Sequence, residues 1–186
     1  SDGPLDMRMD QRQSLTAESI INTAEQSELV EILRTYGEEP RAMKIARLII
    51  ENRPITTTSE LANIVTRAWP GHSKVHPATR TFQALRIAVN SELAQIQQAI
   101  PIWIDLLAPG GRIVVISFHS LEDRIVKDAF RLASTDCICP PKVPVWVCGH
   151  KASVTLVKRK PIEASEAEVA SNPRSRSAKL RVVEKI

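Results

Sequence analysis

The chain has 186 residues, 43% of them hydrophobic, with a formal net charge of +4 and a pI near 9.1. That is enough for one domain, or one with an insertion, and the mild basic excess permits nucleic acid as a partner without requiring it. No apolar run approaches the roughly 20 residues of a membrane span, and the three cysteines fall in one short stretch that gives no disulfide framework, so a reducing compartment is the default.

Residues 1–13 read as polar and irregular. Asp6, Arg8 and Asp10 alternate with Leu5, Met7 and Met9. An extended segment of that pattern would bury the apolar set and present both charge signs on the other face; a surface loop is the plain alternative. Asp2, Asp6 and Asp10 speak against a signal peptide, and no initiator methionine stands at position 1.

Residues 14–69 predict four short amphipathic helices. Thr16 caps the first, which runs to about Ala24. Leu29, Ile32 and Leu33 mark the second, ended by Tyr36-Gly37. Met43, Ile45, Ala46, Ile49 and Ile50 mark the third, stopped near Arg53-Pro54. Thr57 with Glu60 fits a capping box for the fourth, which carries Leu61, Ile64, Val65 and Ala68. Short links make this a compact helical subdomain. Residues 70–77 then form a break and a boundary.

From Ala78 the helical pattern resumes with Phe82, Leu85, Ile87, Val89 and Leu93. A second helix, about Glu92 to Leu107, carries Ile96, Ile100, Trp103, Ile104 and Leu107, with a bend expected at Pro101. Pro109-Gly110-Gly111 ends it in a tight turn. Ile113 to Ile116 follows as a continuous apolar run, which predicts a strand buried on both faces, as in a parallel sheet. Ser117, His119, Ser120, Glu122 and Asp123 crowd the carboxyl end of that strand, where open α/β sheets bind ligands. The bland reading has Ser120 capping the next helix and His119 as a solvated loop residue. Leu121 to Leu132 reads as that helix. Ser153–Val157 and Leu180–Val183 read as two further strands, with a Ser165/Glu168 capping box and a basic, turn-prone Asn172–Ser177 between them. One buried strand with two others cannot make a doubly covered sheet, so further sheet is expected ahead of residue 1.

Several motifs weigh little. Gly110-Gly111 precedes a strand, whereas a phosphate-binding glycine loop follows one. Ser120, His119 and Asp123 are too close in sequence for a hydrolase triad. Cys137-x-Cys139 and Cys148-x-His150 offer four soft ligands, but zinc pairs are usually spaced by two to four residues. No metal is assigned; free thiols in a loop stiffened by Pro140-Pro141 are the plain reading. Arg80, Arg86, Arg112, Arg124, Arg174 and Arg176 would either track a phosphate backbone or form a solvated face.

Four stretches together resemble the ribosomal RNA small-subunit methyltransferase H family of cytosine-N4 methyltransferases. They are Asp2 to Asp10, His76 to Ile87 with Val89 to Leu93, Pro109 to Lys127, and Asn172 to Arg181. They stand in family order and span nearly the whole chain. The resemblance implies an α/β fold, the carboxyl-terminal part of a class I (Rossmann-like) methyltransferase sheet. Residues 1–13 and 73–186 would form the partial core and 14–72 a helical insertion. It implies S-adenosyl-L-methionine as cofactor, with most of its site in an amino-terminal half outside this chain, so no cofactor-binding residue is assigned here. The implied reaction is displacement at a sulfonium methyl by the exocyclic amine of cytosine. That amine is a poor nucleophile, and the enzyme must orient it and accept its hydrogen bonds. The base must leave any stack.

By position in the family motifs, Asp6 and Ser117 are expected near the base as catalytic residues. Arg8, His76, Arg80, Asn90, His119 and Ser120 are expected to hold base, ribose or phosphate. The implied partner is small-subunit ribosomal RNA, with no membrane; the family often pairs with itself, which puts a homodimer among the partners to test. Cytoplasm is the expected location, with a plastid as the alternative. The competing function is a non-catalytic remnant that binds RNA or a protein partner.

Overall fold

Capping chemistry sets the starts of the early helices. In the computed structural model, which describes residues 2–69, 75–139 and 148–186, α1 (Ala17–Thr23) begins at a Thr16/Ser19 capping box and α4 (Thr58–Thr66) at a Thr57/Glu60 box. Each box satisfies backbone N–H groups that the first helical turn leaves without partners. Between them lie α2 (Gln26–Gly37) and α3 (Ala42–Glu51), and α5 (Thr79–Asn90) follows. These five helices belong to the first of two compact units, Ser1–Glu92.

The apolar stripes read from the sequence meet in one core: Ile21, Leu29, Leu33, Ile45, Ile49, Leu61, Val65 and Leu85 are almost wholly buried. Leu5 joins them from the amino-terminal segment, its N–H donating to Thr56 O at 3.2 Å. That segment is therefore packed rather than a free loop, although Met9 departs from its alternation and stays 69% exposed. Met43 is likewise exposed, on the outer side of α3. Gly37 permits a close crossing of α2 and α5, because a Cβ there would lie 2.8 Å from Arg80 O.

The second unit is Leu93–Ile186. The helix α6 (Glu92–Leu106), which contains Pro101, leads to β1 (Arg112–Ser117) and α7 (Ser120–Ala133). Then come β2 (Val154–Leu156), β3 (Ile162–Glu163), α8 (Glu166–Ser171), a 3-10 turn at Pro173–Ser177, and β4 (Lys179–Lys185). The long β4 is central: β1 pairs along one edge, β2 and β3 along the other, all antiparallel. So β1 and β2 run parallel to each other, joined through α7, with β4 inserted between them. Ile100 and Ile104 of α6 pack with Val126 and Phe130 of α7 against Val154 and Val183.

This arrangement corrects the expectation for β1. The strand is not buried on both faces and its partner is not parallel. Ile113 and Val115 join the core side, while Val114 and Ile116 are 56% and 54% exposed. The apolar run is continuous because both faces are apolar, not because both are covered among the described residues. The α6 stripe also differs, with Trp103 exposed. The two-residue β3 carries no pattern that a sequence could reveal. Residues 70–74 of the break expected at 70–77 and the Pro140-Pro141 stretch lie outside the described residues. Among those described, no helix is long and apolar enough to cross a membrane.

Candidate functional site

In the first unit the structure brings Asp6, Arg8 and Asn90 together. Arg8 clamps the Asp6 carboxylate in a fork, Nε to Oδ1 and Nη2 to Oδ2, both at 2.7 Å. Its remaining Nη1 donates to Gln13 O at 2.7 Å and Gln11 O at 3.2 Å. The Arg8 hydrogen bonds pull the Asp6 carboxyl down to about 2. At neutral pH Asp6 is thus a fixed carboxylate, a good hydrogen-bond acceptor and a poor base.

Asn90, at the last turn of α5, grips the same loop. Its Nδ2 donates to Met7 O at 2.8 Å and to Arg86 O at 2.9 Å, and its Oδ1 accepts from Met9 N–H at 2.8 Å. Met7 sits at φ 61°, a left-handed conformation costly for a residue with a side chain. His76 and Arg80 play other parts locally. His76 Nδ1 accepts from Ala78 N–H at 3.2 Å ahead of α5, and Arg80 donates to Glu38 O at 3.1 Å. Both are exposed.

In the second unit Ser117 ends β1. It is buried, and its hydroxyl donates to Lys179 O at 3.3 Å. His119 is the cap of α7, a correction to the reading that gave this task to Ser120; its Nδ1 accepts from Glu122 N–H at 3.4 Å. Glu122 answers by accepting from Phe118 N–H at 2.9 Å and His119 N–H at 3.3 Å. Burial pushes the Glu122 carboxyl up, but the His119 contacts and the Phe118 N–H outweigh it, leaving it below its ordinary value. His119 Nε2 lies 3.1 Å from Glu122 Oε1, yet it is buried without a well-directed hydrogen bond. Ser120 opens the helix and is exposed.

Asp123, part of the polar cluster expected after β1, has a partner here that the sequence does not name. Asp123, 8% exposed, is held in a fork by Arg181 at 2.7 and 3.0 Å, with Lys179 Nζ at 3.8 Å. The Arg181 hydrogen bond keeps the Asp123 carboxyl below its usual range. Both residues fall within the family motifs, and Asp123 also within the polar cluster after β1, but neither names the other. Of the arginines weighed as a phosphate track or a solvated face, Arg86 pairs with Glu92 at 2.9 Å and Arg112 with Glu184 at 2.7 Å. Elsewhere in this unit a cleft of about 820 Å³ is lined by Lys127, Arg131, Lys158 and Arg159.

No described residues form a nucleotide-cofactor cradle of the glycine-rich kind. Gly110 and Gly111 precede β1, and the turn after β1 is filled by the His119/Glu122 cap. The residues present do not fit S-adenosyl-L-methionine by themselves.

An α/β chain with this motif set has its relatives among the methylases. The family model of the MraW methylases matches residues 1–186, and the chain belongs to that family. Proteins named "Ribosomal RNA small subunit methyltransferase H" match the whole chain. The one from Solidesulfovibrio magneticus is 53% identical and 60% covered, that from Geobacter sp. 53% and 61%, and that from Dehalococcoides mccartyi 51% and 54%. The chain thus spans somewhat more than half the length of the curated relatives it matches.

Proposed function

We propose that this chain is the carboxyl-terminal, substrate-facing portion of an S-adenosyl-L-methionine-dependent methyltransferase that modifies N4 of a cytosine in small-subunit ribosomal RNA. The relatives' shared name, at about half identity over the whole chain, supports rRNA methylation. The finer reading of a class I sheet is supported by the β1–α7–β2 crossover, and residues 14–72 are proposed as the helical insertion into that core. Its outer strands are parallel, its helix lies on one face, and β1 carries an exposed apolar face on the other.

The observation that carries the reading is the Asp6–Arg8 clamp. A carboxylate held ionised and immobile accepts hydrogen bonds from an amine without taking its proton, which orients a weakly nucleophilic amine. Arg8 and Asn90 hold that carboxylate's loop. Ser117 is proposed as a second catalytic group, and His119, Ser120, His76 and Arg80 as contacts to base, ribose or phosphate. Each assignment is made within its own unit. The cofactor's groups are assigned outside this chain, and no step is derived through it here.

The test places Asp6→Ala and His119→Ala in a polypeptide as long as the curated relatives. Methylation of small-subunit RNA falls while the melting temperature of the Asp6 variant holds; unchanged turnover in both variants sinks the assignment. A second reading, RNA binding without catalysis, is favoured by the basic cleft at Lys127, Arg131, Lys158 and Arg159. Calorimetry of S-adenosyl-L-methionine with the 186-residue chain separates the alternatives for this polypeptide. Saturable micromolar binding would mean that the cofactor site is largely present, against the partition proposed here.

A further inference from the structure

We infer that Cys137, Cys139 and Cys148 form a binding site for a soft divalent metal ion, zinc above all, on the loop between α7 and β2. The inference is independent of the methylation reading. All three sulfurs lie within 4.8 Å of one another. Cys137 Sγ and Cys148 Sγ are 3.6 Å apart, far beyond the bond length of about 2.05 Å in a disulfide. Two thiolates on one tetrahedral zinc, each at about 2.3 Å, stand about 3.8 Å apart. The observed spacing is close to that of ligands sharing an ion.

The backbone supplies a second observation. Cys139 N–H donates to Cys137 Sγ at 3.4 Å. That bond fixes where the Cys137 sulfur stands relative to the other two. Three sulfurs gathered in one small volume make a donor set that suits a soft cation.

The loop's base is built to hold this spacing. Ser153 N–H donates to Ala133 O at 2.9 Å, and Ala152 N–H to Asp136 Oδ1 at 3.4 Å. His150 Nε2 lies 3.0 Å from Leu132 O, so its ring anchors the loop to the end of α7. The ligand set is therefore three thiolates with a fourth place for water or another small donor. The one-residue spacing of Cys137 and Cys139 is workable because Cys148 returns from a distant point in the chain. A bound ion would fix this loop beside the cleft that Thr135, Asp136 and Ala152 also line.

The test uses the reduced 186-residue chain, stripped with chelator and titrated with Co²⁺ and then Zn²⁺ alone. One equivalent of cobalt gives a thiolate-to-metal charge-transfer band, and zinc abolishes it. Cys137→Ser, Cys139→Ser and Cys148→Ser each weaken binding at least about tenfold. His150→Ala, which keeps its backbone N–H, retains the stoichiometry and the band. X-ray absorption of the zinc-loaded wild-type chain reads the sulfur ligands directly, so variants that fail to fold do not decide the matter. No charge-transfer band overturns the site, as does binding well below one equivalent or a Cys137–Cys148 disulfide formed in glutathione buffer. Loss of the band in His150→Ala overturns the three-thiolate assignment.

Discussion

Asn90 and Met7 are bound to each other across 83 residues of sequence, amide to carbonyl at 2.8 Å. The bond matters because Met7 holds a left-handed backbone, and Asn90 also accepts from Met9 N–H on the far side of Arg8. One side chain thus fixes the turn that aims Asp6 and Arg8. Asn90→Ala leaves partly buried backbone groups unpaired and should cost about 1–3 kcal/mol. Urea unfolding checks the loss of stability; an unchanged midpoint would show that the turn holds itself.

Gly37→Ala reverses the usual sign of a helical substitution. Replacing glycine by alanine inside a helix ordinarily stabilises by about 1 kcal/mol. Here the new methyl would lie 2.8 Å from Arg80 O and 3.2 Å from Ala84 Cβ. Overpacking of that kind costs about 1–3 kcal/mol, so the melting temperature should fall. A rise would mean that α2 and α5 can separate cheaply.

The Asp123–Arg181 pair should be the strongest single polar tie in the second unit. Removing one partner of a mostly buried pair costs about 3 kcal/mol or more, because the other charge is stranded. A double-mutant cycle with Asp123→Ala and Arg181→Ala should therefore show the double variant losing much less than the sum. The Asp123 pKa is depressed on folding. Its contribution is therefore full above the unfolded value near 3.9 and is lost as pH falls through the lower folded value. Urea midpoints between pH 5 and pH 2 should fall more steeply in the wild-type chain than in Asp123→Ala.

Glu122→Ala removes the acceptor for Phe118 N–H and His119 N–H. A lost cap of this kind costs about 1 kcal/mol, which lowers the melting temperature of a chain this size by about 2–4 °C. His119→Ala should lower it similarly. The two variants part company only in the longer enzyme, where His119→Ala also lowers turnover if the ring touches RNA.

Asp6 should impose no break on the pH profile of methylation between pH 5 and pH 8, since Arg8 holds its carboxyl near 2. Asp6→Asn keeps an acceptor oxygen but lowers the rate by loosening Arg8. An inflection that disappears in this variant would reassign Asp6 as a proton-transfer group.

The helices were legible wherever local chemistry decides them. The Thr16 cap and the Thr57/Glu60 box announce α1 and α4, and the 3.6-residue stripes of α2, α3 and α7 name their own buried sides. Local pattern fails where a distant segment decides. Ile113–Ile116 looks the same whether one or two faces are covered, so the exposure of Val114 and Ile116 was hidden. Asp123 and Arg181 are 58 residues apart, and nothing in either neighbourhood names the other. His119 reads from the sequence as an RNA contact or a solvated loop residue because imidazole is an uncommon cap, though Glu122 three places later is the signal for one. Motif position names Asp6, Arg8 and Asn90, which the structure brings together, and also His76 and Arg80, to which it gives local backbone contacts.

β1 is also an uneven edge for a molecule in solution. It pairs with β4 on one side among the described residues, carries no proline and no lysine, and shows Val114, Ile116 and the adjoining Phe118 to solvent. Edges without such guards are templates for strand addition. Two copies of the chain would meet there at a rate that rises with the square of concentration, so crowding rather than heat would set how long it stays dispersed. A charged residue at position 114 would then improve solubility while leaving the core side of the strand untouched.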